Sequence, residues 1–383
     1  MFLTNRFQVI FAKFLLVLIS QSFYNNKQVS ATSGQVKEIA ANNADFYYTG
    51  RIEGQNSSTP VFSYPGSMVE FKFSGTGLKV KLSEDNWGGE NYVDVYLNDD
   101  SEPKTILLKQ GEQPKIYDIA NGLENKTHKV LLVKRNDYVT GEFKFHGIVT
   151  DGNLLPGNFA SNKKIEVYGD SIAAGATVES DRVGTSDPPG SNHDLANAYL
   201  SFGSILARDY GAEVSLVAQG GVSLVDGYGF WHEQTGMEAI YDKAKPLDDA
   251  PQWNFAKYNP DLVIVALGQN DASSINIGSD LSSQEWKSRY KQFISELRAK
   301  HPNAYFIGMF PNMYHDSKWD NYLTEAIAEY KQETNDNKVY SLITEQVTSG
   351  HPRFSEQKAM ADALKTLIDG TLVDDGFNWD VSK

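Results

Sequence analysis

The hydrophobic pattern of the chain changes period near Asp151, and that change restricts what each part can fold into. From Phe46 to Val149 apolar residues recur at every second position in short runs: Met68–Gly75, Leu78–Glu84, Tyr92–Asp99, Thr105–Gly111, His128–Asn136 and Glu142–Gly152. Gly, Asn and Asp separate them. In Val69-Glu70-Phe71-Lys72-Phe73 the alternation puts Val and both Phe on one face, and Leu78-Lys79-Val80-Lys81-Leu82 repeats it. No helical period intervenes. The economical solution is two antiparallel sheets packed as a β-sandwich, with a jelly roll as the expected topology.

Beyond Asp151 a Gly/Pro/Asn-bearing connector, Gly152–Lys164, leads into alternating strand and helix patterns. Strands are expected at Ile165–Tyr168, Val214–Ala218, Leu262–Leu267, Ala304–Met309 and Lys338–Ile343. Helices are expected at Ala196–Tyr210, Ser283–Lys300, Trp319–Asn335 and Ser355–Asp369. The run Leu262–Leu267 is continuously apolar with three β-branched residues, as a parallel strand covered on both faces requires. A buried helical segment is the other reading of so short a run. The expected organisation is a sandwich over residues 40–151, a connector over 152–164 and a three-layer α/β domain with a parallel sheet over 165–372.

Composition narrows the function. With 35 basic and 49 acidic residues the formal charge is −14, which disfavours nucleic acid or an anionic membrane as partner. There is no cysteine, so disulfides, thiolate metal sites and cysteine nucleophiles are excluded. The seven histidines are scattered without ligand spacing, and neither a metal nor another cofactor is expected. At the N-terminus Arg6 and Lys13 precede the dense apolar run Phe14–Ile19, and Val29-Ser30-Ala31 offers a small-x-small cleavage pattern. Residues 1–31 thus read as a signal peptide and the protein as secreted or periplasmic, a buried N-terminal helix being the alternative. No later stretch reaches transmembrane length, and no membrane insertion is expected.

The densest chemical signal is Ile165-Glu166-Val167-Tyr168-Gly169-Asp170-Ser171, an apolar strand ending in a Gly-Asp-Ser turn. Groups at the carboxyl ends of parallel strands face the binding crevice. A serine there can be exposed, although the same three residues also serve as a plain turn. The Gly-x-Ser-x-Gly elbow is absent. The following strands run into Gln219-Gly220-Gly221 and Gly268-Gln269-Asn270-Asp271. A Gly220 amide and an Asn270 side-chain amide, with the Ser171 N–H, would make an oxyanion hole; for Asn270, turn capping is the alternative. Gly350-His351-Pro352 lies between the last strand and the last helix, where an imidazole could close a serine–base pair.

The order Gly-Asp-Ser, Gly, Gly-x-Asn-Asp, His-Pro resembles that of the SGNH, or GDSL-type, hydrolases. The blocks Phe46–Gly54, Phe62–Leu82, His128–Arg135, Glu166–Gly175, Trp253–Asp271 and His351–Leu364 look like carbohydrate esterase family 2, whose members include acetylxylan esterases. The resemblance runs from about Phe46 to Leu367. It implies Ser171 as nucleophile, His351 as base, and Ser171, Gly220 and Asn270 as oxyanion donors. One element departs from the pattern. Most SGNH enzymes carry an aspartate two or three residues before the histidine, where this chain has Ser349 and Thr348. The histidine is therefore expected to be oriented by a backbone carbonyl, or by a carboxylate from elsewhere such as Glu345 or Asp316. Asp170 is expected to support its turn, and Asp271 to cap the segment after Asn270.

The loops Asp181–Asp194 and Gly227–Trp231 are long and lie after crevice strands. Tyr228, Trp231, Trp253 and Trp87 are the candidate sugar-stacking rings, with Trp253 also suited to core packing. The expected function is a secreted, monomeric serine esterase acting on acetylated poly- or oligosaccharides such as xylan or glucomannan. A polysaccharide binder with an inactive esterase domain, and a short-chain lipase or thioesterase, are the alternatives.

Overall fold

The computed structural model describes residues 36–85, 90–98, 100–276, 280–345 and 348–379. The signal peptide expected over 1–31 and the candidate ring Trp87 lie outside the described residues.

The N-terminal strands form one antiparallel ladder of ten strands. Two of the expected strands, Met68–Gly75 and Leu78–Glu84, are a single strand, Met68–Asp85. Its buried residues change parity, with Val69, Phe71 and Phe73 before and Leu78, Val80 and Leu82 after, all within one core. A register shift between Gly75 and Gly77 makes this possible. There Gly75 takes φ +130°, and the Asp151 carboxylate accepts the amides of Thr76 (2.8 Å) and Gly77 (3.1 Å). The partner strand spans Gly111–Lys134 and is longer than its apolar pattern suggested, because most of its first part is exposed or only half-buried. After it comes Glu142–Thr150. Leu154-Leu155 of the connector pair with Phe73 and Lys72, so this segment is part of the sheet.

The second sheet has five parallel strands in the spatial order Glu213–Ala218, Lys164–Gly169, Leu262–Ala266, Tyr305–Phe310, Val339–Ile343. Helices Phe202–Tyr210 and Phe354–Leu367 cover one face through Leu206, Met360 and Leu364. Helices Ser283–Lys300 and Lys318–Thr334 cover the other through Trp286, Tyr290, Phe293 and Trp319. Helix Phe202–Tyr210 starts later than its sequence pattern suggested, after short 3₁₀ turns at 193–195 and 198–200. Strand order reverses at Lys164–Gly169, which places a crevice at its carboxyl end. That end carries Ser171.

The two sheets meet through buried charge. Arg51, from the N-terminal sheet, donates to Glu166 Oε1 (3.2 Å) and the Tyr168 hydroxyl (2.8 Å), both on the Lys164–Gly169 strand. Their side chains are 0% and 1% exposed for Arg51 and Glu166. His301 Nε2 lies 3.1 Å from the second oxygen of Glu166. Burial alone would raise the Glu166 carboxyl, but the Arg51 charge and the His301 contact outweigh it and hold it at about 2. Arg51→Ala leaves this carboxylate buried without its cation and is expected to lower unfolding stability by ~3–5 kcal/mol. Urea unfolding measures it; a loss under ~1 kcal/mol would show the pair to be idle. The carboxyl is depressed in the folded state, so its contribution is present above the ordinary value of 4.5 and is lost as pH falls toward about 2. Glu166→Gln should flatten the acid limb of stability over that window.

Candidate active site

Ser171 follows the Lys164–Gly169 strand in a tight turn. Asp170, buried beneath it, accepts the Ile172 amide at 2.9 Å and so holds the turn as expected. Burial pushes its carboxyl up to about 6, against the pull of that amide and of His351. His351 enters on the loop before the Phe354–Leu367 helix, and its Nε2 lies 2.7 Å from Ser171 Oγ. These two residues are 180 positions apart in the chain. The parallel sheet brings them together.

The acid expected near His351 is supplied by Asp187, from the Asp181–Asp194 loop. Its Oδ2 lies 2.6 Å from His351 Nδ1, and its Oδ1 accepts the His351 amide at 2.9 Å. Arg353, 1% exposed, donates to the same Oδ1 at 2.9 Å and also bonds the His351 carbonyl. Thr177 Oγ1 donates to it at 3.2 Å. Burial would raise the Asp187 carboxyl; the hydrogen bond and charge of His351, then Arg353, hold it well below the usual carboxylate range. A Cβ on Gly350 would stand 2.6 Å from Asp187 Oδ1, so only glycine lets the two loops approach this closely.

This corrects the expectation of a backbone-carbonyl partner and of Glu345 or Asp316 as reserve acids. Asp316 is exposed and paired with Lys318 at 2.9 Å. Glu345 is exposed and lines a different cavity, with Val183 and Ala359. Spacing could not reveal Asp187, because it lies 164 positions before the histidine. The available signal was an acid stiffened by two prolines, Asp187-Pro188-Pro189, in a long crevice loop.

Asn270 opens the Gln269–Asn276 helix, a polar segment whose sequence shows no apolar period. Its Nδ2 donates to Val222 O (2.9 Å) and to Asp170 Oδ2 (3.3 Å). Asp271 accepts the amides of Leu224 (2.8 Å) and Val225 (3.1 Å), fixing the segment after the Glu213–Ala218 strand. Gly220 is beside the nucleophile, since a Cβ on it would lie 3.7 Å from Ser171 Cβ. Its N–H is given to Asp137 Oδ2 at 2.7 Å. A cavity of about 170 Å³ adjoins the pair, lined by Asp137, Ala174, Thr177, Asp187, His193 and His351 among others.

The aromatic expectations divide. Trp253 is 8% exposed and packs over Arg51 and Lys257, before the amino end of the Leu262–Ala266 strand. It belongs to the interface of the two sheets, away from the crevice end, because Arg51 needs a covered apolar neighbour there. Tyr228 and Trp231 are half-buried, with their polar tips donated to Asp280 (3.1 Å) and Pro246 O (2.9 Å). Phe230 (54%) and Tyr314 (70%) are exposed rings at this end that the sequence did not single out. Tyr314 is tied to the histidine loop through its amide, 2.9 Å from Thr348 O.

Two family models match the chain: the carbohydrate esterase 2 N-terminal model over residues 48–157 and the GDSL-like lipase/acylhydrolase model over 167–342. The cellulase/esterase CelE of Acetivibrio thermocellus is 28% identical over 341 residues, covering 86% of this chain and 40% of CelE. The chain thus spans less than half of that relative. An acetylxylan esterase/glucomannan deacetylase of Cellvibrio japonicus is 26% identical over 362 residues, covering 92% of this chain and 96% of that protein. A solved family two carbohydrate esterase from Clostridium thermocellum, in complex with cellohexaose, superposes with a TM-score of 0.73 at 27% identity. That match covers 86% of this chain and 99% of the other. No helix among the described residues is long and apolar enough to cross a membrane.

Proposed function

We propose that this chain, a carboxylic ester hydrolase of carbohydrate esterase family 2, is exported by its leader and removes O-acetyl groups from polysaccharide through an acyl-enzyme on Ser171. The observation that carries the reading is the relay from Ser171 Oγ to His351 Nε2 at 2.7 Å and from His351 Nδ1 to Asp187 at 2.6 Å. A carboxylate on Nδ1 keeps the proton there and leaves the Nε2 lone pair facing the serine. His351 takes the Ser171 proton as Oγ attacks the acetyl carbonyl. Asp187 stabilises the imidazolium that forms. The tetrahedral oxyanion rests on the Ser171 N–H, joined by the Asn270 side chain in exchange for Val222 O or Asp170 and by the Gly220 amide in exchange for Asp137. Collapse expels the sugar oxygen, which takes the proton from His351 Nε2. Water, deprotonated by the same nitrogen, then attacks the acyl carbonyl and restores Ser171.

The inactive-binder alternative rested on the absent acid at 348 and 349, and Asp187 takes away that ground. A lipase would need a long apolar slot, whereas the cavity beside His351 measures about 170 Å³ and is lined by Asp187, His193 and small residues such as Ala174. Phe230 and Tyr314 offer flat faces for pyranose rings at the same edge. Acetate release from acetylated xylan and acetylated glucomannan, with Ser171→Ala as blank, tests the substrate class. On aryl esters, kcat/KM should fall steeply from acetyl to butyryl, because a small pocket rejects added methylenes. Faster turnover of butyryl than of acetyl esters would remove the deacetylase reading.

A further inference from the structure

Asp137 belongs to the N-terminal sheet, in the turn between the Gly111–Lys134 and Glu142–Thr150 strands, yet its carboxylate reaches the crevice of the parallel sheet. Oδ2 accepts the Gly220 amide at 2.7 Å and the Gln219 side-chain amide at 3.2 Å. Oδ1 accepts the Val139 amide at 3.2 Å. The brace is reciprocal, since Gln219 Oε1 accepts the Tyr138 amide at 3.1 Å and Gln219 is fully buried. Beneath the turn, buried Lys134 donates to the carbonyls of Asn136 (2.9 Å) and Asp137 (3.3 Å). The approach is possible only at a glycine: a Cβ on residue 220 would lie 2.5 Å from Asp137 Oδ2.

An amide has one hydrogen, and a 2.7 Å bond to a carboxylate is charge-assisted. In this structure the Gly220 N–H therefore serves Asp137, and a second anion at that amide would meet the Asp137 charge. We propose that Asp137 is a positioning residue of the esterase site, acting through the Gly220 turn to set that turn against Ser171. The inference rests on the reading of Ser171 as nucleophile. It makes the N-terminal sheet a part of the catalytic apparatus.

The test uses the full chain, 4-nitrophenyl acetate, and an alkylboronic acid that forms a tetrahedral anionic adduct on a reactive serine. Asp137→Ala should lower kcat by about 10²-fold, the scale on which small misplacements act, with KM changed less than about twofold. Boronate affinity should fall by a similar factor, since the adduct shares the geometry that the turn sets. Asp137→Asn keeps one acceptor oxygen and should lose only about tenfold in kcat. Thermal unfolding checks the fold of each variant, and Asp137→Asn decides the matter if Asp137→Ala does not fold. An unchanged kcat overturns the proposal. A raised kcat also overturns it, and would mean that the carboxylate competes with the oxyanion for the Gly220 amide. Activity retained in Ser171→Ala would instead sink the nucleophile reading, a separable result.

Discussion

Ser171→Ala and His351→Ala should each lower kcat for acetyl-ester hydrolysis by about 10⁶-fold, and the double variant should be little worse than either. The two side chains share one proton across 2.7 Å, so removing either abolishes the same step. A residual rate from binding and the oxyanion donors should survive in all three proteins. Steady-state kinetics on 4-nitrophenyl acetate, after removal of trace wild-type enzyme, measures it. Losses that add on a logarithmic scale would show that the residues act in separate steps.

The second large effect is expected at Asp187. Asp187→Asn should lower kcat by about 10⁴-fold with little change in KM. An asparagine amide facing Nδ1 would favour the wrong tautomer, and the imidazolium would lose its counter-charge. Glu345→Gln and Asp316→Asn should each stay within about tenfold of the parent, since neither acid touches the histidine. Because His351 and Arg353 hold the Asp187 carboxyl well below the usual range, it remains a carboxylate wherever the enzyme is folded and working. Loss of activity on the acid side should therefore not follow protonation of Asp187. Profiles of kcat/KM against pH for the parent and Asp187→Asn, read together with circular dichroism, test this. A variant within tenfold of the parent would return the site to a two-residue mechanism.

Much of the fold was legible because burial imposes a period. The continuously apolar Leu262–Ala266 strand and the alternation at Val69, Phe71 and Phe73 follow directly from which faces are covered. Ser171, Asn270 and His351 were legible because strand ends carry turn residues, and a sheet aligns its strand ends. The first part of the Gly111–Lys134 strand was not, since its exposed side chains leave no apolar alternation. The Gln269–Asn276 helix was hidden for a different reason, since its buried Gln269, Asp271 and Ser274 are polar. Asp187 and Asp137 were illegible on different grounds. Each reaches the site from a loop whose path is set by distant packing, and neither has a fixed offset from the residue it serves.

The loop that brings Asp187 to the histidine also forms a wall of the adjoining cavity through Ser191, Asn192 and His193. Substrate shape and proton transfer are thus inherited together. A homologous loop grafted to alter sugar preference would have to bring an acid with the same reach to Nδ1, and would have to fit against Gly350 and Arg353. Mutational drift in this loop is accordingly filtered twice, once for the sugar and once for the base. New specificities should arise more readily around Phe230, an exposed ring on the segment whose amide bonds Gly221 O.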